Sequence, residues 1–406
     1  MNVLFIHEVD WLSKVVFDIH SLAESLSLLG HKVYAIDYEN TWKRRKFLDF
    51  GSLRTTELRS VSRAFPEGSV CLRRPGFIRI PGISRLSAGL THWVEIGKTI
   101  REKGIEAVVL YSVPTNGLQT IRLAKRFNIP VVFRAIDILD QLVPNRVLRP
   151  PTKFLEKRVY RGVDSILTLT PKLSSYVIDL GAREANVTVL PMPVDSGLFN
   201  PSVETEVVRR KWGFEDGDRI VLFIGTLFGF SGLDVFLRRF PRVLDQVPEA
   251  RLLIVGDGPQ RKKLEGIIDE IGLGQHVTIT GFQPYETMPH YINLADVCIN
   301  TFLMTGATRN IFPGKLVQYL ACGRAVVATA LPGTTAVIPG EKQGIVYGSG
   351  PDELAAKVVA VLESNEYRQQ LEEAAINYVG RVHGHEKIAR QLEAALAEAI
   401  NRKGDF

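Results

Sequence analysis

Short β-branched apolar runs alternate with helix-spaced stretches along this chain, and the alternation breaks once, near the middle. Runs at 3–6, 33–36, 107–111, 131–134 and 165–169 precede the break, and runs at 219–224, 252–255, 277–280, 297–300 and 325–329 follow it. Between each pair lies a segment whose apolar residues recur at three and four positions, the spacing of one helix face. That is βαβ chemistry and predicts parallel, doubly wound sheets. The break, LPMPVDSGLFNP at 190–201, holds three prolines and no apolar period, so it marks a boundary. With 406 residues, 45% of them hydrophobic, there is enough chain for two cores. The expected organisation is an α/β protein of two Rossmann-like domains, 1–200 and 201–380, facing across a hinge. Helical spacing from Ser364 to the end, with Ile388, Leu392, Ala395 and Leu396 on one face, places a tail at 381–406 that crosses back to the first domain by analogy with other two-domain folds.

In the first half, Val15, Ile19, Leu22, Leu26 and Leu29 mark a helix that Ser13 can cap and Gly30 can end, and Thr170–Pro171 is a capped helix start. Asp37 ends the second run where a dinucleotide fold holds its ribose, but no GxGxxG turn follows the first run, which argues against a nicotinamide cofactor. Asp137, just after a strand, sits where open α/β sheets bind ligands and could orient an acceptor hydroxyl or cap a turn. The opening MNVLFIHEVD reads as a strand, not a signal peptide, and no apolar run approaches 18 residues. Three scattered cysteines without a CxxC pair fit a reducing cytoplasm and argue against structural zinc.

Charge is uneven: residues 1–200 carry 28 Lys/Arg against 19 Asp/Glu, and residues 201–406 carry 22 against 25. Most of the excess lies in the long crossover 38–104, where WKRRKF and LRRPGFIRIP mix cations with aromatic and aliphatic side chains. Trp42, Arg44, Arg45, Arg73 and Arg74 are the candidates for an anionic-membrane or acceptor surface, the alternative being a solvated basic face. Nucleic acid is a weaker reading, since no recognition motif accompanies the charge.

The second half holds three phosphate-compatible turns. GTLFGFSG at 225–232 and VGDGP at 255–259 let backbone approach a ligand closely. The third is TGATRNIFPGKLVQYLACGRAVVATALP at 305–332, read as loop, helix, strand and loop, with Pro313 at the first helical position and free amides at Ile311, Phe312 and Gly314. A lysine within about 4 Å of a phosphate contributes roughly 4 kcal/mol at an effective dielectric near 20, against about 0.3–1 kcal/mol from a helix dipole. Lys315 therefore dominates that corner. Asp216 and Asp218 form a DxD that reads as a turn and not as a metal site.

GHKV at 30–33, MPVDSGLFNP at 192–201, VGDGPQRKKLE at 255–265, ITGFQPYETMPHYINLADV at 279–297 and FPGKLVQYLACGRAVVAT at 312–329 together resemble glycosyltransferase family 4, of the GT-B fold. The resemblance implies a nucleotide-diphosphate sugar held mainly by the second domain, an acceptor held mainly by the first, transfer with retained anomeric configuration, and no required metal. It implies that Gly225, Phe312, Gly314 and Lys315 hold the pyrophosphate, that Gly256 lines the donor site, and that Gly281 and Phe282 border the base. The chain departs from the pattern where the family carries charge. Its glutamate pair becomes Asn310 and Gln318, its diphosphate-binding arginine and lysine become Thr226 and Ser231, and a histidine before Asp137 becomes Ile136. Arg309 or Arg324 are the candidates to replace the missing cations. The reading is a cytoplasmic, peripheral glycosyltransferase of envelope polysaccharide or glycolipid assembly. A non-catalytic GT-B binding protein and a nucleotide-sugar epimerase of the same fold stay open.

Overall fold

The computed structural model describes residues 1–39, 50–80, 83–143 and 145–404. The chain forms two compact units, 1–193 with 385–406, and 194–384. In the first, β1 (Asn2–Ile6), β2 (Lys32–Ile36), β3 (Thr56–Val61), β4 (Val70–Arg74), β5 (Ala107–Leu110), β6 (Val131–Ala135), β7 (Ser165–Thr168) and β8 (Val187–Val189) make one sheet in the order 3-4-2-1-5-6-7-8. All neighbours run parallel except the β3–β4 pair. In the second, β9 (Arg219–Ile224), β10 (Ala250–Val255), β11 (Val277–Ile279), β12 (Val297–Asn300), β13 (Val326–Thr329) and β14 (Ile345–Gly348) make an all-parallel sheet in the order 11-10-9-12-13-14. The central strands are buried end to end, as parallel strands covered by helices on both faces must be.

The described residues of the long crossover form two elements of sheet and one of helix. β3 and β4 form an antiparallel pair that extends the first sheet, and the helix Ser84–Glu102 returns the chain to β5. This placement corrects the surface expected of Arg73 and Arg74. Arg73 is buried, its Nε 2.6 Å from Glu95. Arg74 donates from Nε to Asp37 at 3.0 Å and from Nη2 to Asp10 at 2.7 Å. Both guanidiniums hold β4 to its neighbours, and Asp37 is the buried acceptor of the Arg74 guanidinium and of the Trp11 amide. Trp42, Arg44 and Arg45 lie outside the described residues.

The first helix runs Asp18–Leu28, so Ser13 is not its cap; the Leu12 and Ser13 amides instead donate to Asp10. Ile19, Leu22 and Leu26 bury its inner face. Thr170 caps the helix Pro171–Asp179 by accepting from the Leu173 amide at 3.1 Å. The C-terminal stretch is two helices, Asn365–Val382 and His385–Gly404, interrupted at His383 and Gly384. The second buries Ile388, Leu392 and Leu396 in the same core as Ile19 and Leu22.

Candidate active site

The second unit gathers its special backbone at the carboxyl ends of its strands. Gly225 follows β9, Gly256 follows β10 and Gly281 lies just past β11, with φ of +142°, +149° and +72°, a region that favours glycine. The Gly225 amide donates to the Val255 carbonyl at 2.9 Å, and Gly256 bridges Gly281. A Cβ on Gly256 would stand 2.0 Å from the Gly225 carbonyl oxygen, so the turns approach as closely as bare backbone allows. Leu227 fastens them by donating to the Asp257 carbonyl and accepting from the Gln260 amide.

Lys315 points into this layer. A Cβ on Gly225 would lie 3.1 Å from its Nζ. The ammonium rests 3.7 Å from the ring centroid of Phe223 and 4.7 Å from that of Phe302, and among the described residues no carboxylate pairs with it. Burial lowers its pKa to about 7. Its helix, Lys315–Ala321, starts two residues later than Pro313 suggests, with Gly314 as the preceding cap. The Ile311 amide is not free: it donates to Thr308 at 3.0 Å. Tyr319, one turn beyond Lys315, accepts from the Ile224 amide at 2.8 Å and pins the helix to the end of β9. Lysine, glycine and strand end are thus held in one register.

The other expected residues divide. Gln318 donates to the Tyr285 hydroxyl at 3.4 Å, beside the same helix. Asn310 has a shielded Oδ1 with no partner among the described residues. Thr226, Arg309 and Phe282 are exposed, while Phe312 is buried. Ser231 is buried inside its loop, where its carbonyl accepts from Thr301, so its hydroxyl is a poor substitute for a diphosphate cation. Arg324 turns to the Asn293 side chain and to Glu372. Asp216 and Asp218 precede β9, at the opposite strand end from the glycines, and Asp218 caps its own turn by accepting from the Glu215 amide. Among the described residues no His/Cys/Asp/Glu group could hold a metal.

Sequence reading passed over Phe223 and Phe302, whose rings carry the lysine, and Asn300, a fully buried amide at the end of β12 with neither polar atom partnered among the described residues. The continuous apolar run of β9 marks Phe223 as core, and it is core; only the fold shows what rests on it.

In the first unit, Asp137 follows β6, half-buried. Burial first, and the charge of Asp18 second, raise its pKa to about 6. Asp18 is itself fixed by Arg134, at 2.6 Å, and by the Tyr111 hydroxyl, at 2.8 Å. An acceptor hydroxyl oriented by the Asp137 carboxylate requires that proton to be lost. The acid limb of kcat/KM is therefore expected near pH 6 and absent in Asp137→Asn; an unchanged limb would remove Asp137 from the reaction.

Two family models match the chain, the glycosyl transferase 4-like domain over 16–193 and glycosyl transferases group 1 over 204–378. The GDP-mannose-dependent alpha-(1-6)-phosphatidylinositol monomannoside mannosyltransferase of Mycolicibacterium smegmatis is 31% identical over 52% of this chain and 56% of its own length. Sucrose-phosphate synthase from Thermosynechococcus elongatus superposes with a TM-score of 0.74 at 19% identity, covering 99% of both chains. HepE of Anabaena, solved with UDP-glucose, superposes with a TM-score of 0.73 at 16% identity, covering 98% of this chain and 100% of that one. The chain therefore belongs to the GT-B glycosyltransferases and is family 4-like. It spans little more than half the length of the curated relatives it matches. No helix among the described residues is long and apolar enough to cross a membrane.

Proposed function

We propose that this chain is a retaining glycosyltransferase that moves a sugar from a nucleotide diphosphate to a glycan or lipid-linked acceptor in envelope polysaccharide or glycolipid assembly. The observation that carries this reading is the Lys315 ammonium, which has no carboxylate partner among the described residues, beside the bare backbone of Gly225. A diphosphate there would meet a half-buried cation resting on two aromatic rings, where charge pairs act more strongly than in solvent. In the step, the acceptor hydroxyl oxygen bonds to the anomeric carbon on the face the diphosphate leaves. The bond from that carbon to the phosphate oxygen breaks with its electrons going to the diphosphate, and a leaving phosphate oxygen takes the hydroxyl proton. Charge gathers on the leaving group, and Lys315 balances it. A metal has no part in this scheme.

A nucleotide at 100 times its dissociation constant should raise stability by about 2.7 kcal/mol. One of UDP, GDP, dTDP or ADP is expected to do so in a melting screen, and its sugar conjugate to be consumed with an acceptor, equally well in EDTA. Saturable binding without turnover across varied acceptors would favour a non-catalytic binding protein, which the poor fit of Ser231 to a cation's role also favours. Turnover that stops in EDTA would reject the metal-free step.

The acceptor surface we propose lies on the helix Ser84–Glu102, not on Arg73 and Arg74. Leu86, Leu90 and Val94 are 71%, 70% and 64% exposed at successive four-residue steps, with Trp93 beside them. Arg85, Lys98 and Arg101 are exposed along the same helix. An apolar stripe flanked by cations suits an anionic lipid surface, at about 1 kcal/mol per Lys or Arg near the headgroups. Leu86→Ser/Leu90→Ser is expected to weaken salt-sensitive sedimentation with phosphatidylglycerol vesicles at least tenfold. Equal sedimentation would exclude this face.

A further inference from the structure

One well-defined cavity among the described residues, about 640 Å³, is lined by none of the residues given a catalytic or binding role above. It opens in the first unit at the amino ends of β7 and β8, the opposite strand ends from Asp137. Its walls come from the ends of the helices Gly117–Arg126, Arg149–Gly162 and His385–Gly404 and from the turn into β8. We propose that this cavity is a second ligand site, for a small soluble multivalent anion such as a diphosphate or a phosphorylated metabolite.

The charge in the wall is lopsided. Asp164 is occupied, accepting from the Val131 amide at 2.8 Å and pairing with Lys403 at 3.0 Å. Glu398 accepts from Arg402, at hydrogen-bond distance one helical turn away. That leaves Lys125, Arg161 and Arg183, which have no carboxylate partner among the described residues. Lys125 and Arg161 end helices, and the carbonyl ends of three helices bring roughly half a negative charge each. Those partial charges offset about half of the three free cations and account neither for Arg183 nor for the convergence.

The backbone is shaped around one of these cations. Gly181, at φ +98°, lies so close beneath the Arg161 guanidinium that a Cβ there would be 2.4 Å from Nε. Arg161 is thereby seated over the turn that carries Arg183, and planar guanidiniums from two elements suit a phosphate better than a single point charge does. Ser165 completes the wall with an Oγ that is shielded from solvent and has no partner among the described residues, a donor left for a ligand.

Inorganic pyrophosphate is the probe, titrated calorimetrically into the wild type, Arg161→Ala/Arg183→Ala and Lys315→Ala. Both arginines are exposed, so their loss leaves the fold intact. The wild type is expected to take up two equivalents, and each variant one. Gly181→Ala, which displaces the guanidinium without removing its charge, is expected to weaken the same equivalent about tenfold. A double variant that titrates like the wild type would overturn the proposal. So would one that loses vesicle binding while keeping both equivalents, since the arginines would then serve lipid. If only Lys315→Ala titrates like the wild type, the donor site fails and this cavity stands.

Discussion

Replacing Lys315 with alanine is expected to lower kcat/KM for transfer by about 10²–10³-fold while leaving the fold no less stable than the wild type at neutral pH. The first half follows from Coulomb's law. A unit pair at about 4 Å is worth roughly 4 kcal/mol at an effective dielectric near 20, and removal of the family's other diphosphate cations leaves little else to supply it. The second half follows from the lysine's surroundings. Its Nζ lies over Phe223 and Phe302 with no acid among the described residues, and burial has drawn its pKa from 10.5 to about 7. Between pH 7 and 10.5 the unfolded chain keeps a proton that the folded one gives up, so stability from this group rises with pH across that window. Lys315→Met should flatten the rise. Nucleotide binding runs the other way: the diphosphate restores the ammonium, so affinity should fall as pH climbs above 7. A lysine serving only to fill space would show neither slope and would cost activity little.

Asp18→Ala is expected to destabilise the protein by about 3–5 kcal/mol, read as a fall in the urea midpoint at unchanged slope. Asp18 and Arg134 are both buried, joined at 2.6 Å and 3.0 Å, and Arg134 also donates to the Leu190 carbonyl at 2.7 Å. Deleting the carboxylate leaves a guanidinium in the core with half its partners gone and the Tyr111 hydroxyl without its acceptor. The same carboxylate lifts the pKa of Asp137, so the gentler Asp18→Asn should move the acid limb of kcat/KM to lower pH. Asp137 itself adds a small opposing slope to stability. Its folded pKa of about 6 lies above the ordinary 3.8, so stability falls as pH rises from 3.8 to 6. A Asp18→Ala variant as stable as the wild type would mean that Arg134 finds another anion.

Local chemistry was easy to read. Runs such as 131–134 and 219–224 are apolar on both faces because both faces are covered, and Thr170–Pro171 starts a helix by caps alone. What failed were the features that depend on partners distant in sequence. Arg73 and Arg74 look like a basic surface until Glu95, Asp37 and Asp10 are brought beside them by the sheet. The pair β3–β4 escaped notice because Thr56–Val61 is a half-exposed edge strand with no long apolar run. Pro313 and Gly314 predict a helix start, yet the Thr305–Thr308 turn, which takes the Ile311 amide, delays it to Lys315. Gly225, Gly256 and Lys315 each stood out alone. That they form one layer, with aromatic rings beneath the cation, is a property of the β9–β10–β12 register that no spacing displays.

The most direct measurement is a crystal structure with the nucleotide that wins the melting screen. The account predicts diphosphate oxygens within about 3 Å of Lys315 Nζ and against the Gly225 backbone, with the ammonium drawn off the Phe223 ring. A diphosphate bound elsewhere, with Lys315 still resting on Phe223 and Phe302, would contradict it.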